Sequence, residues 1–254
     1  MARDKAEPAI VRLDQVDSTQ TVAFALAERG ATDRTVVVAD QQAAGRGRRG
    51  RVWQAPARTS LLASILVRSG LPQALLATLS PTTAVATAEA LRRVAPLEPR
   101  LKWPNDVLVG GRKIAGILLE SRAVASSEPV LVIGIGINLG QREFPPELAG
   151  RATSVALETG QAVDRETMLA ALLEEFDAWR ARLEGEGFCP VRERWKSLSD
   201  TIGRHVTVDG VSGTATDLDG DGALLIDVGD GVRRVIAGEI TTDDTTGEAH
   251  AARR

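Results

Sequence analysis

Cysteine is almost missing from this chain: Cys189 is the single one in 254 residues, which excludes an internal disulfide framework and a multi-cysteine zinc site. Histidine is equally scarce, with only His205 and His250. Both read as surface residues rather than a catalytic pair. The first ten residues, "MARDKAEPAI", lack the apolar core of a signal peptide, so no secretory signal is expected. Long apolar runs are absent too. The longest candidate, residues 69–88, is interrupted by Gln73, Pro81 and several Ser and Thr, so it reads as a soluble helical region and not a membrane span. Excess charge of either sign is also lacking: 31 Lys plus Arg against 34 Asp plus Glu leave a net charge of -3, which excludes a polycation built for nucleic acid. These absences fit a cytoplasmic protein with one large domain, or one large and one small.

What positive charge there is gathers in one place. From Gln41 to Ala88 there is no acidic residue, while Arg46, Arg48, Arg49, Arg51, Arg58 and Arg68 all fall there. The densest stretch is "GRGRRGR", residues 45–51. It satisfies the G-x-G-x-x-G pattern, but a dinucleotide fingerprint must open a helix and be followed by an acid about 20 residues on. Here "RVWQAP" and then a strand follow, with no acid in reach. A nucleic-acid arm belongs at a terminus or in a low-complexity stretch, whereas this segment lies between two buried strands. What remains is a loop that binds an anion: arginine grips phosphate or carboxylate with two parallel hydrogen bonds, and glycines let backbone amides approach closely. Arginine repulsion and glycine entropy predict that such a loop is mobile when empty.

Around it, "DSTQTVAFALAERG" predicts an amphipathic helix capped by Ser18 and Thr19, with Val22, Ala23, Leu26 and Ala27 on its apolar face. "TVVVADQQ" and "SLLASILV" read as buried strands. Helical periodicity over residues 75–94 is expected to restart or kink at Ser80-Pro81, and a strong helix is expected over residues 165–183. Three close apolar runs between residues 100 and 140 predict antiparallel neighbours. From Thr201 onward, short strands and tight turns predict a small all-β unit, followed by a polar, disordered tail. There is no internal repeat.

Asp217, Asp219, Asp221 and Gly222 occupy positions 1, 3, 5 and 6 of a calcium-loop pattern, but position 12 is Val228 and strands flank it, so "DGDG" reads as a hairpin turn. In "KWPNDV", residues 102–107, Pro104 and the Asn-Asp pair form a turn able to hold Lys102 and Asp106 rigidly beside whatever Trp103 packs against. Lys113 precedes Ala115 and Gly116, small residues that leave room for a ligand against a strand.

"DST" at 17–19, "QQAAGRGRRGRVW" at 41–53, "KWPNDV" at 102–107, "KIAGILLE" at 113–120 and "GIGINLG" at 134–140 together resemble the biotin protein ligase family, in order and approximate spacing. The resemblance implies an α+β chain. Residues 1–200 would form a catalytic domain of the class II aminoacyl-tRNA-synthetase-like fold, a mixed β-sheet with helices on one side. An SH3-like barrel would follow over 201–246, with a disordered tail over 247–254. It further implies an ATP-dependent ligase that uses Mg2+, makes biotinyl-5'-AMP from its substrate biotin, and transfers biotin to a lysine of a biotin carboxyl carrier protein domain of acetyl-CoA or a related carboxylase.

By the same resemblance, Lys113 and Arg48 are the catalytic residues. Ser18, Thr19, Gln20, Gln42, Arg46, Gly47, Arg48, Lys113 and Gly116 would bind biotin, while Arg48, Arg49, Arg51, Trp53, Lys102, Asn105 and Asn138 would bind ATP and the adenylate. Metal ligands stay unassigned: Asp106 is a candidate, with the phosphates supplying most of the coordination. Gln20 stands where many relatives have Asn. Only about ten residues precede the first strand, so no DNA-binding domain and no sequence-specific DNA binding are expected, and both monomer and homodimer fit. The alternatives are a lipoate-protein ligase, which shares the fold and the adenylate chemistry, and a nucleic-acid-binding module using the arginine loop.

Overall fold

The computed structural model describes residues 8–122 and 129–241. His250 and the tail over 247–254 lie outside the described residues, as does the end of the expected β unit beyond 241.

Strand β1 (Ile10–Val16) leads through helix α1 (Thr19–Glu28) to β2 (Val36–Gln42), and the two strands pair in parallel. Strand β3 (Ser60–Val67), helix α2 (Leu79–Val94) and strands β4 (Arg100–Lys102), β5 (Asp106–Val109), β6 (Arg112–Arg122) and β7 (Val130–Asn138) follow. They complete a mixed 7-stranded sheet in the order β1-β2-β3-β7-β6-β5-β4, in which every pair except β1/β2 is antiparallel. The close spacing of the β4 to β7 runs is thus realised as consecutive antiparallel neighbours.

Helices cover both faces of this sheet, which corrects the expectation of helices on one side. Alternate residues of β3 and β7 point to opposite faces. Leu61, Ala63, Ile65, Ile133, Ile135 and Ile137 join the core under α2 and helix α4 (Arg165–Glu186). Val37, Leu66, Val130 and Val132 form a second core with Ala23, Phe24 and Ala27 of α1. The reason is in the sequence of β3, apolar at nearly every position and buried along its whole length: a strand with two apolar faces needs a cover on each.

On α4, Leu169, Leu172, Leu173, Phe176 and Trp179 are all buried, as their spacing predicts, and Asp164 caps its start by accepting from the Thr167 N–H at 2.9 Å. Two helix starts differ from expectation. Ser18 stands at the N-cap of α1 without a side-chain capping bond, and the first N–H of the helix, Thr19, is satisfied by Gln42 Oε1 at 2.8 Å. Helix α2 begins at Leu79 after a 3-10 turn over Gln73–Thr78, so Ser80 and Pro81 fall inside its first turn and no side-chain cap forms.

After helices α3 (Val155–Thr159) and α5 (Cys189–Leu198), strands β8 (His205–Val208), β9 (Val211–Leu218), β10 (Leu224–Asp227), β11 (Val232–Val235) and β12 (Ile240–Thr241) form a separate antiparallel sheet in the order β11-β10-β9-β8-β12. "DGDG" is the β9–β10 turn. Asp219 and Asp221 pair with Arg234, and Asp217 with Arg192 and Lys196, so these carboxylates serve as ion-pair partners. The two sheets are joined where Trp103 Nε1 donates to the Gly222 carbonyl at 3.2 Å and the Trp103 N–H to Thr201 Oγ1 at 3.0 Å.

Candidate active site

The face under α1 changes character along β7. After Val130 and Val132, the next positions on that face are Gly134, Gly136 and Asn138. On β6, Gly116 lies opposite Gly136. Side chains are absent where helix cover ends, and a cavity of about 400 Å³ is lined by these glycines. That volume suits a small organic ligand. The floor is used closely: a Cβ on Gly136 would stand 2.5 Å from the Trp53 ring, and one on Gly134 2.8 Å from the Gln20 amide.

The first turn of α1 supplies one wall. Thr19 Oγ1 lies 2.8 Å from Ser64 Oγ, Gln42 Oε1 receives the Thr19 N–H, and Gln20 Nε2 donates to the Leu118 carbonyl at 3.0 Å. Three polar side chains are therefore fixed beside the glycine floor. Ser18 is buried but does not line the cavity. Every other residue expected at the site lines it: Thr19, Gln20, Gln42, Arg46, Gly47, Arg48, Arg49, Arg51, Trp53, Lys102, Asn105, Lys113, Gly116 and Asn138.

The arginine segment is a loop closed on itself. Gly47 N–H donates to the Arg51 carbonyl at 2.7 Å and Trp53 N–H to the Gly45 carbonyl at 2.9 Å. Gly45 has no substitute, because a Cβ there would meet the Trp53 carbonyl oxygen at 2.4 Å. Its arginines are engaged. Arg46 pairs with Glu120 at 2.9 Å, Arg49 with Asp209 at 2.5 Å and Arg51 with Glu239 at 2.5 Å. Arg48 differs, holding only neutral acceptors: Asn105 Oδ1 at 3.4 Å and the Gly238 carbonyl at 3.3 Å. Burial, then the nearby Arg49 charge, push its pKa below the ordinary arginine value. A part-buried guanidinium with no carboxylate hydrogen-bonded to it is available to an anion, although Asp106 and Glu239 oppose the lowering from a distance. A loop with this many carboxylate partners is a poor nucleic-acid arm.

Lys113 comes from the hairpin of β5 and β6. Its Nζ pairs with Asp106 at 2.5 Å and lies 5.7 Å from the centre of the Trp53 ring. The main chain on either side is clamped, Lys113 N–H to the Arg151 carbonyl and Thr153 N–H to the Lys113 carbonyl, both at 2.9 Å. Asn105 donates to the Ile117 carbonyl at 2.8 Å and Asn138 to the Thr153 carbonyl at 3.0 Å, so both amides position neighbours as well as lining the cavity. Lys102 has no ion-pair partner among the described residues. No three His, Cys, Asp or Glu side chains gather into a metal cluster among the described residues, and Asp106 spends its carboxylate on Lys113.

Sequence reasoning missed three contributors. Gly134 and Gly136 were legible, since glycine at alternate positions of an apolar strand leaves one face bare. Phe144, Glu147, Leu148, Arg151 and Ala152, from the loop after β7, carry no pattern that announces a wall. Gly238, Glu239 and Ile240 reach the cavity from the other sheet, through tertiary packing alone.

Residues 13–138 match the Biotin/lipoate A/B protein ligase family, and residues 201–241 match the Biotin protein ligase C terminal domain. The chain is 37% identical over 225 residues to the biotin-[acetyl-CoA-carboxylase] ligase of Paracoccus denitrificans, covering 84% of this chain and 92% of that protein. It is 34% identical over 233 residues to the bifunctional ligase/repressor BirA of Bacillus subtilis, covering 89% and 72%. Among solved structures, the biotin protein ligase of Aquifex aeolicus in complex with biotin and ATP superposes with a TM-score of 0.80 at 31% identity, over 92% of this chain and 97% of that one. Its residues, its two sheets and these relatives agree: the chain belongs to the biotin protein ligase family.

Proposed function

We propose that the chain condenses biotin with ATP to biotinyl-5'-AMP and passes the biotinyl group to a lysine on the biotin carboxyl carrier domain of acetyl-CoA carboxylase or a related carboxylase. The observation that carries this reading is the meeting, in one cavity with a glycine floor, of apolar wall (Leu62, Ala63, Ile117, Ile135), the polar side chains Thr19, Gln20 and Gln42, and a group of cations that includes Arg46, Arg48, Lys102 and Lys113. In this structure the Trp53 ring packs on Gly136 and Gly116 and the Gln20 amide on Gly134; a flat bicyclic ring would take the glycine floor by displacing the Trp53 ring, with Thr19, Gln20 and Gln42 offering donors and acceptors to its polar end.

Activation requires a carboxylate to attack the α-phosphate, so two anions must approach in a site shielded from water. Arg48, which has no carboxylate partner, can lie between them and offset their repulsion. Lys113 exchanges Asp106 for the substrate carboxylate and then holds the oxygen on which charge develops as the adenylate is attacked. Nucleotide phosphates would bring their magnesium with them, since the protein offers no ligand cluster among its described residues. We place the protein in the cytoplasm, with the carrier domain as its macromolecular partner.

Isothermal titration with biotin, then with biotin plus ATP and magnesium, followed by mass spectrometry of the bound species, tests this. Trapped biotinyl-5'-AMP is expected. Binding of lipoate in place of biotin would overturn it.

A further inference from the structure

A second cavity, of about 210 Å³, opens beside the first. It forms because β5 leaves β6 at Gly116, so the edge of β6 beyond that point has open space beside it. The start of α2, the Trp103-Pro104-Asn105 turn, Leu119 and the β9–β10 turn close around that space. Arg48 and Asn105 line both cavities. Ile236, 72% exposed, stands at its outer side.

The lining sets apolar side chains, Pro81, Leu118, Leu119 and Ile236 among them, beside the polar groups of Ser80 and Asn105. Its only ionisable members are Arg48 and Asp221, and Asp221 is engaged with Arg234. Such a surface would strip the hydration from pyrophosphate without returning enough charge. It does suit an aliphatic stem ending in an amine. We propose that this cavity is the entry path for the acceptor lysine side chain, which passes Leu119 and Pro81 and reaches the acyl carbon beside Arg48. This rests on the biotin ligase reading, in which biotin and nucleotide fill the main cavity before a third reactant must arrive.

The environment also prepares the nucleophile. Apolar walls and the Arg48 charge both disfavour an ammonium group, so the lysine gives one proton to solvent on entry and arrives as a neutral amine. Its nitrogen attacks the acyl carbon, a C–N bond forms, and the C–O bond to phosphate breaks with the electron pair leaving on AMP. The second nitrogen proton goes to solvent.

The test separates the half-reactions in Ile236→Trp and Ala77→Trp, two exposed positions on the cavity rim. Adenylate formation is followed by pyrophosphate exchange, and transfer by single-turnover reaction with the carrier domain and with n-butylamine. Exchange should be unchanged, which also reports a folded enzyme, while transfer to both acceptors falls by about 10²-fold, the cost of a misplacement of about 1 Å. Unchanged transfer in both variants, a parallel fall in exchange, or slow carrier transfer with normal n-butylamine reaction would each overturn the inference. Exchange by the unsubstituted chain reports on the biotin reading separately.

Discussion

Along one face of β7, Val130 and Val132 fill the space beneath α1, whereas over Gly134 and Gly136, the next two positions on that face, the space is taken by the Gln20 amide and the Trp53 ring, two side chains of the cavity wall. The two ends share a strand, a backbone geometry and both neighbouring strands. They differ only in what was put on the Cα. Burying each apolar side chain under α1 stabilises the fold by about 1.5–3 kcal/mol. At the glycine end that contribution is absent, and the surface it would have covered is left to the cavity. The site is therefore made by subtraction from a sheet that is rigid elsewhere, and its precision comes from the buried end.

The sharpest way to break this comparison is Gly136→Val. Its first added carbon falls on the Trp53 ring and the rest enter the cavity. Because the Trp53 ring must give way, thermal stability should fall modestly, while biotin affinity falls by about 10³-fold, or about 4 kcal/mol. Titration that still found wild-type affinity would place biotin away from the glycine floor. At the covered end the reverse is expected: Leu66→Ala should cost about 3 kcal/mol of stability, within the usual range for a buried leucine, and leave biotin affinity unchanged well below the melting temperature. Denaturant unfolding and titration on the same sample check both halves. Loss of affinity in parallel with stability would show that the two ends are not separable.

Much of this was readable beforehand. Helix α4, the β4 to β7 succession and the loop between β2 and β3 followed from periodicity and turn residues, because each is specified by neighbours close in sequence. Of the residues the motifs assigned to the site, all but Ser18 line the cavity, where Ser18 is buried at the start of α1. What escaped reading was set by distance. That α1 takes the opposite face depends on which strands β2 and β3 become neighbours to. That Arg49 and Arg51 meet Asp209 and Glu239 depends on where the second sheet docks, across 160 and 188 residues. The loop after β7 became a wall only because its backbone is clamped to Lys113.

The weakest expected effect separates an ion pair that holds the wall from the one that serves the site. Asp40, on β2 just before Gln42, accepts from Arg165 Nη2 at 2.5 Å and Arg58 Nε at 2.6 Å. Those bonds, Arg165 first and Arg58 next, hold its carboxyl below the usual range despite the opposing effect of burial. A lowered folded value means that the stabilisation is complete above the unfolded value of about 3.9 and is lost as pH falls through the lower folded one. Because these partners are partly solvated, Asp40→Asn should cost only about 0.5–1 kcal/mol at neutral pH. The gap to the unsubstituted protein should be flat above the usual carboxylate range and close below it, with adenylate formation unchanged throughout. A gap that widened on acidification would reverse the sign of the linkage. A loss of adenylate formation at neutral pH would instead show that the β2 wall, and not only the glycine floor, sets the substrate's position.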